Sequence, residues 1–206
     1  MTLILLHTAE VHRATFDALR DRIAPGTGLR HVVRPGWLAR AQKDDPTLEA
    51  DLAGAIGRAT GPVICTCTTL GPMAEMLGAI RVDWPMMQAA AALQGPVMLA
   101  FCLESAAAPS VALLDRALEA AGTPQKVLPL PLVPYWPLFE AGELDAFAAV
   151  IAGEIRQAVA AHPETAGVIL AQVSMAGAAP LLADLGVPVL SSPELALRAG
   201  LAAQAS

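Results

Sequence analysis

The sequence predicts an α/β protein of two pseudo-symmetric halves, each a parallel sheet flanked by helices, with a site in the cleft between them. Short apolar runs alternate with helical segments along the whole chain, which is typical of parallel sheets with crossover helices. Residues 63–71 and 168–176 align without a gap, which indicates an internal duplication. Hydrophobic residues make up 55% of the 206 residues and charged residues 16%, so the chain can bury a large core.

Strands are predicted where short apolar runs lie between polar or turn residues. The stretch Pro129–Pro137 is too rich in proline for a central strand, and we expect most of it to form a loop over one edge of the cleft. The predicted strands are Leu3–Leu6, His31–Val33, Val63–Thr66, a shorter one that includes Ile80–Val82, Val97–Phe101, Val127–Leu130, Val168–Ala171 and Val187–Leu190.

Helices are predicted from the spacing of apolar residues. In the first of them, Val11, Ala14, Ala18, Leu19 and Ile23 fall on one face. The predicted helices are Val11–Ile23, Leu48–Ala59, Leu70–Leu77, Met86–Leu93, Pro109–Ala121, Leu144–Ala161, Met175–Leu185 and Glu194–Ala203.

The duplication extends beyond the two aligned segments. Each is followed by a helix, a short apolar segment and a proline that opens another helix, Pro85 in one copy and Pro193 in the other. Proline is tolerated there because the first N–H groups of a helix have no partner within it. We therefore predict a first half at residues 1–94, completed by a C-terminal helix at 193–206, and a second half at 95–192.

Composition and charge exclude several classes of function. The net charge is −6 and the basic residues are scattered, so neither nucleic acid nor an anionic membrane surface is an expected partner. The longest apolar stretch, Ala89–Leu103, is interrupted by Gln94, Gly95 and Pro96, which argues against a membrane span. The first residues lack the basic region and cleavage site of a signal peptide.

The cysteines indicate free thiols in a reducing, cytoplasmic location. There are three of them, and Cys65 and Cys67 are too close in sequence to form a useful disulfide. The pair also has no second pair of ligands with zinc-site spacing, so no metal is expected. Glycine-rich nucleotide-binding motifs are absent as well, and no cofactor is expected.

Several polar residues follow predicted strands. Ligands of open parallel sheets bind beyond the carboxyl ends of the strands, so these residues are expected on one rim. They are His7, Thr8, Cys67, Thr68, Thr69, Gln172 and Ser174.

Cys67 is the strongest candidate for chemistry. At a junction between a strand and a helix its sulfur would meet free N–H groups and the positive end of the helix dipole, and both favour the thiolate. The alternative is a buried structural cysteine, since free cysteines are among the most buried residues. Cys65, two residues earlier in the strand, is expected in the core.

Four segments carry a resemblance to a known family. In order and spacing they resemble the motifs of the aspartate/glutamate racemase superfamily, which includes aspartate, glutamate and hydantoin racemases, maleate isomerase and arylmalonate decarboxylase. The resemblance covers nearly the whole chain. The segments are Cys67-Thr68-Thr69, Arg81-Val82-Asp83-Trp84-Pro85-Met86, Leu170-Ala171-Gln172-Val173-Ser174-Met175-Ala176 and Val187-Pro188-Val189-Leu190-Ser191-Ser192-Pro193-Glu194.

The resemblance implies proton transfer beside a carboxylate, without a cofactor. In the family two cysteines flank the substrate's α-carbon, and hydroxyl and N–H groups after each cysteine hold the carboxylate. It implies Cys67 as one acid/base or nucleophile, and a small amino-acid- or hydantoin-like substrate. The implied carboxylate-binding residues are Thr68, Thr69 and Ser174, and Gln172 occupies the place of the second cysteine. Thr8 and Gln172 are further substrate-binding candidates because of their expected place on the same rim.

Gln172 is a departure from the family pattern, because an amide neither gains nor loses a proton near neutral pH. Three outcomes remain open. His7 could be the second base, although we favour the alternative, a polar residue that stabilises a loop. One thiol could suffice, as in a one-cysteine decarboxylase or an isomerase that works by thiol addition. Catalysis could also be lost, leaving a carboxylate-binding protein. A homo-oligomer is compatible with the apolar composition.

Overall fold

The computed structural model describes residues 2–205, the last of them by its backbone alone. Its contacts divide the chain into two units. One runs to Asp83 and includes the C-terminal segment from Pro193, and the other spans Trp84–Ser192. The sequence placed this division at 94/95. It lies earlier because the helix that begins at Trp84 packs against the next helix of the second unit.

The first unit contains a four-stranded parallel sheet. Its strands are β1 (Leu3–His7), β2 (Leu29–Val33), β3 (Val63–Cys65) and β4 (Ile80–Arg81), in the order β2-β1-β3-β4. The helices between these strands are α1 (Val11–Ile23), α2 (Gly36–Ala41), α3 (Leu48–Gly57) and α4 (Gly71–Met76).

The second unit repeats this arrangement. Its strands are β5 (Val97–Phe101), β6 (Val127–Pro131), β7 (Gly167–Leu170) and β8 (Val189–Ser191), all parallel, in the equivalent order β6-β5-β7-β8. The predicted fold class is therefore confirmed. The remaining helices are α5 (Trp84–Ala91), α6 (Glu104–Ala121), α7 (Trp136–Glu140), α8 (Leu144–Ala161) and α9 (Ser192–Ala205).

The two faces of the first sheet carry different side chains, because successive residues of a strand point to opposite sides. On one face, Leu6 and Cys65 pack in a core with Leu48 and Leu52 of α3. On the other face, the ring of His7 lies against residues of α1. This alternation determines which residues at the strand ends can meet.

Two predicted elements differ from the observed structure for reasons that involve proline. The predicted helix Met175–Leu185 consists of two 3-10 segments, Val173–Ala178 and Pro180–Leu182, because Pro180 has no amide hydrogen to continue an α-helix. In the proline-rich stretch, β6 continues to Pro131. The Leu132 N–H bonds to Phe101 O, so the nitrogens of Pro129 and Pro131 face away from β5 and cost no ladder bond.

Two shorter helices were not predicted. The six residues of α2 and the five of α7, which follows a 3-10 turn at Val133–Tyr135, are too short to show a helical period in the sequence. Within residues 2–205 no helix is both long enough and apolar enough to cross a bilayer.

Helix α9 packs closely on the first sheet at Gly200. A Cβ added at this residue would lie 2.6 Å from Ile64 Cδ1 and 3.0 Å from the methyl carbons of Leu3. We predict that Gly200→Ala lowers the free energy of unfolding by about 1–3 kcal/mol through overpacking. Gly153→Ala in α8 is the matched control, since a Cβ there meets no atom within 4 Å. It should instead stabilise the protein by about 0.5–1 kcal/mol through helix propensity. Denaturant titration tests both predictions. Equal changes in the free energy of unfolding for Gly200→Ala and Gly153→Ala would contradict the close packing at Gly200.

Candidate active site

Cys67 and Gln172 hold equivalent places in the two sheets. Cys67 lies two residues after β3, and Gln172 lies two residues after β7. β3 pairs with β1 in the same register as β7 pairs with β5. The aligned segments of the sequence therefore correspond in three dimensions. The equivalent pairs are Leu6 and Ala100, Cys65 and Leu170, Thr66 and Ala171, and Thr8 and Cys102.

The Cys67 sulfur lies among hydrogen-bond donors at the carboxyl end of the first sheet. The residue is 8% exposed. Its sulfur receives hydrogen bonds from the Thr8 hydroxyl and from the backbone N–H groups of Thr69 and Leu70. The sequence predicted such donors from the strand-to-helix junction, and Leu70 is an additional one.

Burial nevertheless raises the pKa of the Cys67 thiol above its ordinary value. The three donors lower the pKa and the Asp83 carboxylate raises it, but removal of the sulfur from water has the largest effect. The expectation that this junction favours the thiolate is therefore wrong. Cys67 is a protonated thiol at neutral pH, surrounded by groups that can stabilise its anion.

Cys65 has the core position that was expected for it. It is fully buried, and its thiol donates a hydrogen bond to Cys67 O at 3.7 Å. Burial is the main cause that raises the pKa of this thiol far above its usual range.

A buried ion pair borders this segment. Arg81 donates to both oxygens of Asp83, from Nε to Oδ1 at 3.0 Å and from Nη2 to Oδ2 at 2.8 Å. Gly71, at the start of α4, makes room for it, because a Cβ there would lie 2.9 Å from Arg81 Nε. The Arg-x-Asp spacing at a strand end could have indicated the pair, because alternate residues share a face.

His7 is fully buried, and both of its ring nitrogens have partners. Nδ1 lies 2.8 Å from Thr66 Oγ1 and Nε2 lies 2.9 Å from His31 Nδ1. His31 Nε2 in turn lies 3.3 Å from Asp17 Oδ1. One donating and one accepting nitrogen suit the neutral ring, which joins β1 to its neighbours β2 and β3.

These contacts correct the expectation that His7 is a second base. Strand alternation places its ring on the sheet face opposite Cys67, next to His12 and Phe16 of α1. Burial lowers the pKa of His7 to about 3, with smaller contributions from the charges of His12, His31 and Arg13. His12 is also buried, and burial lowers its pKa to about 4.

Gln172 is held by the end of the neighbouring strand. Its side-chain oxygen accepts hydrogen bonds from the N–H groups of Cys102 at 2.6 Å and Leu103 at 3.2 Å. Both N–H groups lie just before α6, where unpaired N–H groups attract negative charge. The carboxamide oxygen therefore fills a place suited to an anion.

The predicted hydroxyl residues lie beside these two positions. Thr8 and Thr69 are half-buried and contact Cys67, while Thr68 is buried. Ser174 Oγ is buried without a hydrogen-bond partner within residues 2–205. Thr69 also lines a cavity of about 450 Å³ between α4 and the segment before α3, whose rim includes Asp44 and Glu49.

Cys102 was not among the predicted site residues, although it corresponds to Thr8. Its side chain lies in the apolar core of the second unit, and burial raises the pKa of its thiol to about 12. Its position directly after β5 could have drawn attention to it. Among the described residues, no three His, Cys, Asp or Glu side chains lie together as metal ligands would.

No protein-family model and no curated protein matches the sequence. Solved structures do match. Glutamate racemase from Francisella tularensis, in complex with D-glutamate, has a TM-score of 0.71 at 10% identity over 98% of this chain and 79% of that one. Allantoin racemase from Pseudomonas fluorescens has a TM-score of 0.62 at 16% identity over 98% and 90% of the two chains. A double mutant of arylmalonate decarboxylase has a TM-score of 0.59 at 14% identity over 98% and 92%.

The chain has the same fold as these two racemases and this decarboxylase. The resemblance that the four sequence motifs indicated is thus confirmed at the level of the racemase fold. At these identities the likeness carries no information on substrate.

The two N–H groups that hold Gln172 allow a test of its role. We predict that Gln172→Met, which has a similar shape and no acceptor oxygen, lowers the free energy of unfolding by about 1–3 kcal/mol, because two buried donors lose their partner. Gln172→Glu keeps an acceptor oxygen near the N-terminus of α6, adds a negative charge there and should recover more than half of that loss at neutral pH. Denaturant titration measures both. Equal stability of the Met variant and the wild type would contradict the anchoring role.

The buried histidines predict a loss of stability in acid. His7 and His12 have pKa values of about 3 and about 4 in the folded protein and near 6.5 when unfolded. Below pH 6.5 the unfolded chain binds more protons, so the free energy of unfolding falls as the pH drops toward 4. Each histidine contributes up to about 1.4 kcal/mol per pH unit.

The histidine variants isolate this effect from that of the carboxylates. The slope of the free energy of unfolding against pH reports the number of protons taken up on unfolding. Between pH 6 and pH 4.5, His7→Gln and His12→Gln should each reduce that number by about one, whatever their stability at pH 7. Denaturant titrations at several pH values measure the slope. A His7→Gln slope identical to that of the wild type would show that His7 is not held neutral.

Proposed function

We propose that the chain is a cofactor-independent enzyme of the racemase and isomerase type. It acts on the carbon beside the carboxylate of a small amino-acid- or hydantoin-like substrate, with Cys67 as acid/base or nucleophile. The observation that supports this most is the convergence of the Thr8 hydroxyl and the Thr69 and Leu70 N–H groups on the Cys67 sulfur. Cys67 packs within the apolar core of the first unit, where a purely structural thiol would need no such donors.

The protonation state of Cys67 decides which step it can perform first. Because burial raises its pKa, the resting thiol carries a proton and can donate it to a carbanion or enolate-like intermediate. To abstract a proton it must first become a thiolate, and the three donors lower the cost of that charge in the same way as an oxyanion hole. The site is therefore suited to proton donation in its resting state and to abstraction at higher pH.

We propose that Thr8, Thr68, Thr69 and Ser174 contribute to substrate binding. The Ser174 hydroxyl has a free hydrogen-bonding capacity that a carboxylate can use. Gln172 commits its oxygen to two backbone N–H groups and can offer a ligand only the hydrogens of its amide nitrogen.

One-cysteine chemistry is the second candidate, and a specific observation favours it. The group equivalent to Cys67 is a carboxamide that cannot transfer a proton, and its oxygen is fixed to the backbone. A decarboxylase needs only one proton donor after carbon dioxide leaves, and a protonated Cys67 is suited to that step. A protein that binds a carboxylate without catalysis is a third possibility.

Cys67→Ala tests the proposal. With a panel of α-deuterated amino acids, hydantoins and arylmalonates, we expect the wild type to exchange deuterium with solvent or to release carbon dioxide. The variant should lose about 10²–10⁴-fold in rate because the acid/base is removed. The matched control is Cys102→Ala, which removes another buried thiol and should keep the activity. Activity that survives Cys67→Ala would overturn the proposal, while carboxylate binding without turnover in the wild type would support the binding protein.

The pH profile gives a second readout of the same site. Exchange that requires the thiolate should rise with pH, with a midpoint above the value of about 8.5 for an ordinary cysteine. Thr8→Val removes a donor that lowers the pKa of Cys67, so it should move this midpoint to still higher pH.

A further inference from the structure

Three arginines of the first unit form no ion pair within residues 2–205. Arg30, Arg34 and Arg58 are exposed, and Arg34 contacts the carbonyl of Val33 and the ring of Trp37. Most other arginines of the chain are paired with a carboxylate. These pairs are Arg13 with Glu10, Arg20 with Asp17 and Asp21, Arg22 and Arg198 with Glu194, Arg40 with Asp45 and Asp51, Arg81 with Asp83, and Arg156 with Asp184.

The three unpaired arginines line one surface depression of about 60 Å³. Arg30 lies in β2, Arg34 follows this strand, and Arg58 follows α3. The floor is apolar and includes Ile4 and Val32. Arg30, Val32 and Arg34 occupy alternate positions, so the strand geometry directs both arginines to the same face of the sheet.

Two local features orient the guanidinium groups. The Arg34 guanidinium lies 5.8 Å from the ring of Trp37, within range of a cation–π interaction. Arg58 folds back over α3 at Gly54, where a Cβ would lie 3.2 Å from Nη1. Gly54 therefore leaves room for the Arg58 guanidinium over the surface of α3.

The lack of carboxylate partners at this arginine cluster contrasts with the acidic charge of the chain. The net charge is −6, so carboxylates to neutralise arginines are abundant, yet none in the described part of the chain is within ion-pair distance of these three. Three like charges around one depression repel each other, and an anion between them removes that repulsion. The depression is several times larger than a water site but far smaller than a pocket for a whole drug-sized ligand. It suits a single anionic group.

We propose that this depression binds a divalent oxyanion, either free phosphate or the phosphate group of a small metabolite whose remainder stays in solvent. Guanidinium groups match the geometry of such oxygens through paired N–H donors. Neither Cys67 nor Gln172 takes part, so the site is independent of the proposed function.

The position of β2 at the edge of the sheet suggests another explanation for these unpaired arginines, which the experiment must distinguish from anion binding. Charged residues on edge strands prevent pairing with other chains. That role accounts for Arg30 and Arg34 but not for Arg58, which follows a helix and lies outside the sheet. An anion site accounts for all three.

The experiment uses the full chain, with inorganic phosphate and glycerol phosphate as probes. Ionic strength is held constant with sodium chloride, and the thermal midpoint is measured against probe concentration. We expect a saturable rise for phosphate that chloride does not produce. Arg30→Gln, Arg34→Gln and Arg58→Gln should each weaken the apparent affinity by about three- to tenfold. Arg13→Gln changes the charge equally at a distant salt bridge and should leave the affinity unchanged.

Further variants separate the possible outcomes. Arg30→Lys keeps the charge without the paired donors and should weaken binding less than Arg30→Gln. Gly54→Ala should displace the Arg58 guanidinium and weaken binding without any change of charge. Tighter binding of glycerol phosphate than of phosphate identifies a metabolite as the ligand, and the reverse identifies the free ion. The proposal is overturned if phosphate raises the thermal midpoint no more than chloride does. It is also overturned if phosphate raises the midpoint equally in Arg13→Gln and in the three cluster variants. Self-association of the cluster variants with an unaltered phosphate response overturns it in favour of edge protection.

Discussion

The side chains at the carboxyl ends of β1 and β3 alternate between the two faces of the first sheet, and the candidate site depends on this alternation. Thr8 and Cys67 share one face, so the hydroxyl reaches the sulfur. His7 and Thr66 share the other face and bond to each other. A shift of one residue in either strand would exchange the two sets and leave the thiol without its hydroxyl donor. The strand register is therefore a condition for any chemistry at Cys67.

The two halves have the same backbone arrangement, but it holds an ionisable thiol in the first half and a neutral carboxamide in the second. In each, the residue two positions past the third strand (β3 or β7) accepts hydrogen bonds from neighbouring main-chain or hydroxyl donors. Gln172 satisfies its donors permanently with a neutral oxygen. Cys67 satisfies them weakly while protonated and strongly as a thiolate, because hydrogen bonds to a charged acceptor are the stronger ones. Only in the first half do these hydrogen bonds strengthen when the acceptor loses a proton. This difference between the halves follows from one side chain, Cys67 in place of Gln172.

The sequence predicted most of the fold, because periodicity and duplication are properties of the whole chain. Strand Val97–Phe101 and helices Val11–Ile23 and Leu144–Ala161 were predicted with their observed bounds. The site was predicted less well. The place of Cys67 among N–H donors follows from local sequence, but its pKa depends on burial, which the linear sequence does not contain. The partners of His7 come from β2 and β3, and only the tertiary structure brings His31 and Thr66 to it.

Desolvation links the buried groups of the first unit. It raises the pKa of the Cys67 thiol and lowers the pKa of His7 and His12, so it favours the uncharged form of an acid and of a base alike. Arg81 and Asp83 are an exception, since each compensates the other through two hydrogen bonds. A thiolate at Cys67 would be a third buried charge beside this pair, with the negative Asp83 opposing it. The protonated form of Cys67 is therefore favoured, and in the proposed function this suits the thiol to the delivery of a proton more than to its removal.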